Sequence, residues 1–147
     1  MRRIVIDASV VVKWVVPEPG TAEALALRRY RLAAPDLLCA EVANILWEKV
    51  SRRELLPEEA DVAARLLSTV DIELLPLRPH LTAATALAVS LGHPAYDCFY
   101  LAAASALDVP CVTADDRLVR KLRQGSSGTW TGRLIPLAET GSLQESH

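Results

Sequence analysis

The stretch "RRIVIDAS", residues 2–9, decides the fold. It is a short, continuous apolar run that ends in an acid. A run without polar alternation suits a strand covered on both faces, as in a parallel sheet between layers of helices. "IELLPL" (72–77), "VPCVTA" (109–114) and "RLIPL" (133–137) read as further strands, and "AAPDLL" as a short extended piece. Helical patterns fill the intervals: 21–34, 36–55 with Asp36 as its cap, a segment from Pro57 to about Thr69, 81–92 closed by Gly92 and Pro94, 96–107, and a basic segment after Asp115. "VVVKWVV" (10–16) fits either state. Its β-branched residues favour strand, whereas a chain leaving a buried parallel strand turns into helix. "PEPG" (17–20) breaks the chain, and "QGSSGTWTG" (124–132) reads as a flexible loop. Strands alternating with helices, without internal repeats, give the α/β class: a mostly parallel sheet with helices on both faces. One domain covers 1–138, and 139–147 reads as a disordered tail.

The composition narrows the function classes. With 147 residues, 51% of them apolar, the chain can build a core without disulfides. No apolar run approaches the roughly 18 residues of a membrane span. Asp7 and Lys13 interrupt the N-terminal apolar stretch and no clean cleavage site follows, so it reads as a strand and not a signal peptide. Cys39, Cys98 and Cys111 sit in apolar contexts and read as buried, reduced thiols of a cytoplasmic protein. His80, His93 and His147 lack zinc-ligand spacing. Trp14 and Trp47 read as core or partly buried residues. The net charge of −2 gives no global attraction to nucleic acid. Such binding must come from local basic patches or a bound cation.

Four acids carry the chemistry. Asp7 and Asp115 each follow an apolar strand, where folds of this class gather their ligands. Asp97 opens an apolar helix, and Glu41 stands one turn into the 36–55 helix. Singly, each has an ordinary reading: Asp7, Asp97 and Asp115 (or Asp116) as helix caps, Glu41 as a solvated side chain. Together, four acids in apolar surroundings point to one pocket. Packed carboxylates repel one another and raise one another's pKa, and a divalent cation relieves this. An oxygen-only ligand set suits magnesium or manganese, and all-carboxylate sites serve phosphoryl chemistry. Arg117, Arg120, Lys121 and Arg123 follow directly and form either a phosphate-binding patch or a solvated helix face. Arg28, Arg29 and Arg31, or Lys49, Arg52 and Arg53, form weaker patches. No aromatic platform for single-stranded RNA is visible.

"IVIDASVVVKW", "PDLLCAEVANIL", "AYDCFYLAAA" and "VTADDRL", in this order, resemble PIN-domain proteins, most of all the VapC-type toxins of bacterial toxin–antitoxin pairs. The resemblance spans residues 3–137. It implies a three-layer α/β/α sandwich and RNA cleavage with Mg2+ or Mn2+. It also implies a homodimer and a small VapB-type antitoxin that docks near the acidic pocket. By motif, Asp7, Glu41, Asp97 and Asp115 match the family's acidic quartet, with Ser9, Asn44 and Thr113 as supporting residues. Asp116 competes with Asp115 for the fourth position, and the Thr-x-Asp phrase favours Asp115. Asp7 and Asp97 are expected to ligate metal directly. Asp115 is expected to ligate or to hold a water, and Glu41 to accept a proton or hold a second metal. Two other readings compete: a non-catalytic PIN-like binding module, and a magnesium-dependent phosphatase. Against the phosphatase, Asp7-Ala8-Ser9 lacks the second acid of an Asp-x-Asp phrase.

Overall fold

β1 (Arg3–Ile6) forms the middle of a five-stranded sheet. The structure is a computed structural model that describes residues 2–125, 130 and 132–143. β2 (Arg31–Pro35) and β4 (Cys111–Thr113) flank β1 in parallel, β3 (Glu73–Leu75) adds outside β2, and β5 (Leu134–Pro136) outside β4. The order is β3-β2-β1-β4-β5 and every pairing is parallel. Ile4, Val5, Ile6 and Val112 have no exposed surface, so the centre of the sheet is covered on both faces.

The connections between parallel strands supply the two covering layers, because such crossovers are right-handed. From β1 to β3 the chain moves one way across the sheet. From β3 it returns past β1 to β4 and β5, so its later helices fall on the other face. On the first face, α1 (Ala8–Val12) packs on α3 (Leu38–Ser51), and α3 packs on α4 (Pro57–Leu67); the short α2 (Thr21–Ala26) precedes β2. On the second, α5 (Leu81–Leu91) packs on α6 (Ala95–Leu107), and α6 lies across β1, β2 and β4. α7 (Asp116–Gln124) joins β4 to β5. The result is the expected α/β/α sandwich. Small residues permit the close approach of α6: Ala33 and Ala34 of β2 and Ala103 and Ala104 of α6 are all fully buried. Lys13, Glu18 and Lys49 form an ion-paired cluster that ties the loop after α1 to α3, at 3.0 and 2.8 Å.

Several elements differ from the sequence reading. The 21–34 segment is not one helix: α2 runs into a 3-10 turn at Leu27–Arg29, and β2 begins at Arg31. Leu and Ala favour helix locally, but pairing with both β1 and β3 outweighs that preference. The ambiguous 10–16 segment resolves as the end of α1, through Val12, followed by a turn over 13–16. Asp36 does not cap α3; Leu37 holds the N-cap position and makes no side-chain bond. Cys39 is exposed, whereas Cys98 and Cys111 are buried as expected. Trp47 is exposed, while Trp14 is partly buried with its indole N–H donating to the Ala24 carbonyl at 2.7 Å. A 3-10 turn at Leu137–Ser142, with Thr140 and Leu143 buried, stands where a tail was expected. Residues 144–147 and most of the expected 124–132 loop lie outside the described residues.

Gly92 caps α5 with φ +60°, as its sequence position implies. A β-carbon meets nothing there, so Gly92→Ala tests backbone conformation alone. The left-handed conformation costs a non-glycine residue about 1 kcal/mol. Chemical denaturation of Gly92→Ala is expected to show a loss of that size with an unchanged m-value.

Candidate active site

The topology brings Asp7 and Asp115 together. β1 and β4 are neighbours, so the residues leaving their carboxyl ends stand side by side. Asp7 caps α1 and Asp115 caps α7: Asp7 Oδ1 accepts from Val10 N at 3.3 Å, and Asp115 Oδ1 from Arg117 N at 3.0 Å. The capping readings are therefore correct for both, and they do not compete with a site. Asp97 lies in the first turn of α6 and Glu41 in the first turn of α3. All four acids line one cavity of about 480 Å³, together with Ser9, Asn44 and Arg117. Asp116 is exposed and lines a separate hollow with Lys13 and Glu23. The doublet thus points Asp115 toward the other acids and Asp116 away.

Two hydroxyls lock Asp7. Ser9 Oγ donates to Asp7 Oδ1 at 2.6 Å, and Thr113 Oγ1 donates to Asp7 Oδ2. A hydroxyl has one proton, so each accepts in turn from backbone: Ser9 Oγ from Ala114 N and Thr113 Oγ1 from Asp115 N, both at 3.0 Å. Ser9 and Thr113 therefore orient Asp7 and also pin the end of β4 to the end of β1. Asn44 is exposed on the cavity wall, its amide 3.4 Å from Glu48.

α6 and the turn before it supply two groups that sequence reasoning missed, Tyr100 and His93. Asp97 Oδ2 lies 2.6 Å from Nε2 of His93, a buried ring. The carboxylate only accepts, so Nε2 carries the proton. The Tyr100 hydroxyl donates to Glu41 Oε1 at 2.5 Å. Asp97 and Tyr100 are three residues apart on one face of α6, and His93 stands just before the helix, four residues from Asp97; that spacing was the available signal. Tyr100 reads as core by its neighbours and is core, yet its hydroxyl reaches the site. Asp97 can sit at the head of an apolar helix because it has His93 as partner and the positive end of the helix dipole beside it.

The electrostatics separate Asp7 and Glu41 from Asp115. Burial pushes Asp7 up to about 6; its three hydrogen bonds oppose this, and the nearby Asp97 adds to it. Burial likewise raises Glu41, with Tyr100 opposing and Asp97 assisting. Asp115 is held below the usual range, first by the Arg117 side chain, whose Nη2 lies 2.8 Å from Oδ2. Among the described residues neither Asp7 nor Glu41 forms an ion pair. Two partly buried acids that resist ionisation beside a third are a natural receptor for a hard cation. As they stand, no three His, Cys, Asp or Glu side chains among the described residues close around one point. The donor set fits a divalent ion, with Arg117 standing where a cation would neutralise Asp115.

A second cavity, about 560 Å³, adjoins the first and shares Glu41, Tyr96, Asp97 and Arg117 with it. Arg120, Lys121, His93 and Gln124 line it. The expected phosphate-binding residues therefore do flank the acids, although they differ in freedom. Lys121 Nζ donates to the Gly92 carbonyl at 2.7 Å, Arg117 pairs with Asp115, and Arg120 is exposed. Arg123 pairs with Glu139 at 2.8 Å.

Comparison with known proteins places this geometry. The PIN domain family model matches residues 4–123, a span that contains all four acids. The chain belongs to the PIN-domain family. Its relatives there are VapC-type members. Ribonuclease VapC3 of Pyrobaculum aerophilum is 35% identical over 126 residues, covering 81% of this chain and 94% of that protein. Ribonuclease VapC1 of Mycobacterium tuberculosis is 35% identical over 122 residues (80% and 90%), and Ribonuclease VapC12 of the same species 31% over 118 residues (80% and 90%). The crystal structure of PAE2754 from Pyrobaculum aerophilum shares the fold, with TM-score 0.68 and 24% identity over 93% of this chain and 90% of that one. In this PIN domain no helix among the described residues is long and apolar enough to cross a membrane.

Proposed function

We propose that this chain is a metal-dependent endoribonuclease, the toxin of a toxin–antitoxin pair, acting in the cytoplasm. The observation that carries the reading is the convergence of Asp7, Glu41, Asp97 and Asp115, from four different elements, on one cavity with arginines at its rim. The ribonuclease names of the relatives support RNA as the substrate. Asp7 and Asp97 would hold Mg2+ or Mn2+, with Asp115 as a further ligand or the holder of a water. Bound there, the ion supplies charge neutralisation at the phosphate and a more acidic water. Glu41 accepts the proton of the attacking water at Oε2, because Tyr100 occupies Oε1. His93 fixes the rotamer of Asp97, and Ser9 and Thr113 fix that of Asp7. Arg117, Arg120 and Lys121 hold the RNA backbone.

Exposed apolar side chains support protein partners. Leu81 and Val89 stand out from α5, and Trp47, Val62 and Leu66 from the α3–α4 pair. A second copy of the chain and the apolar segment of a VapB-type antitoxin account for such surface. Induced expression in a bacterium tests the toxin reading. Growth arrest by the unaltered chain, relieved by Asp97→Asn, supports it; undisturbed growth with soluble, folded chain present contradicts it.

Arg117 has opposite effects on two ligands. Arg117→Ala removes the cation that competes for Asp115, so manganese binding tightens in calorimetry. The same change removes a phosphate contact, so RNA binding weakens and its logarithmic salt dependence falls by about one.

A further inference from the structure

We propose that Tyr96 is a stacking platform for an unpaired base of the RNA strand, next to the scissile phosphate. This inference rests on the RNA reading above and adds a subsite to it. α6 buries Cys98, Tyr100, Leu101, Ala102, Ala103 and Ala104, yet Tyr96, in its first turn, is 64% exposed. Among the described residues it is the one Phe, Tyr or Trp that lines either cavity, and it lines both. Its ring therefore stands at the junction of the two hollows, adjacent in the chain to Asp97. Arg117 and Arg120 of α7 line the same junction or the cavity beyond it.

This is the combination that single-stranded nucleic acid uses: an aromatic face for a base and cations along its backbone. Each hollow, about 480 and 560 Å³, has the size of a small-ligand site, and the two share four lining residues. A base on Tyr96 leaves its own phosphate between the acids and the guanidinium groups. A base held in a duplex has both faces stacked already and cannot lie on the ring. The site therefore selects unpaired RNA through Tyr96, with tolerance for base identity, since every base has a π-face.

Binding of a fluorescent, unstructured RNA strand of about a dozen nucleotides tests this. All proteins carry Asp7→Asn so that the strand stays whole. Tyr96→Ala is expected to weaken binding roughly five- to 100-fold, and Tyr96→Trp to preserve it. A single abasic residue moved along the strand is expected to weaken binding at one position, and Tyr96→Ala to abolish that sensitivity. Equal affinity of the Asp7→Asn protein with Tyr96 or Ala at this position, or abasic sensitivity that persists in Tyr96→Ala, overturns the stacking role. In both cases RNA still binds and the RNA reading stands. No measurable RNA binding by the Asp7→Asn protein takes down the RNA reading and the subsite with it.

Discussion

Asp7→Asn is expected to abolish RNA cleavage and to make the metal-free protein more stable at neutral pH. The first effect follows from the site. Asp7 is the most constrained of the four acids, and an amide cannot supply the charge that holds a cation. Loss of one electrostatic stabiliser costs on the order of 10³-fold in rate, and here the loss extends to whatever the cation provides. The second effect follows from the pKa. Folded Asp7 binds its proton more tightly, at about 6, than the unfolded chain does near the ordinary value of 3.8. Ionisation therefore costs the folded state. The stability present below the unfolded pKa is lost as pH rises through about 6. A gap of that size corresponds to roughly 3 kcal/mol at most. Asparagine must still fit its amide against the Ser9 and Thr113 hydroxyls, so a gain of about 1–2 kcal/mol is expected at pH 7.5. Urea denaturation with EDTA reads it. In saturating Mn2+ the order reverses, because only the unaltered chain gains from binding.

Tyr100→Phe is expected to reduce cleavage about tenfold at neutral pH and to move the acidic limb of the pH–rate profile upward. The hydroxyl spans from α6 to Glu41 on α3, so it joins the two helical layers over the strand ends. A hydrogen bond to a charged acceptor contributes about 1.5–3 kcal/mol, and phenylalanine forfeits it without vacating the core. The bond favours ionised Glu41, and burial opposes it. Removing the bond raises the pKa further, so Glu41 keeps its proton to higher pH than in the unaltered chain and acts as base over a narrower range. Activity should recover as pH rises. Lower activity with an unmoved limb would assign Tyr100 a structural role and remove Glu41 from proton transfer.

The four acids were legible because each ends a strand or opens a helix in a distinctive local phrase. What the sequence could not supply was the strand order. Asp7 and Asp115 meet because β1 and β4 pair, a long-range choice that no local pattern encodes. The start of β2 was misread for the same reason, while its end, residues 33–35, falls in the piece read as extended. "RLAAP" is locally helical in character, and only its two neighbouring strands make it extended. Tyr100 and His93 escaped notice because burial and function coincide in them. An apolar context marks a side chain as core, and a single polar atom at its far end leaves no mark on periodicity. Trp47 shows the converse. Apolar neighbours at helical spacing suggest a buried ring, but α3 turns it outward. Asp116 against Asp115 was decided by capping geometry, since the N-cap residue of α7 is the one that faces the other acids.

Single-turnover digestion of a mixed-sequence RNA pool by the purified chain tests the central claim most directly, with Mg2+, Mn2+ or EDTA, beside Asp7→Asn and Asp97→Asn. The account predicts cleavage that requires the ion and disappears in both folded variants. Cleavage that persists in EDTA, or that survives both substitutions, would contradict the assignment of these carboxylates as the metal-holding centre of a nuclease.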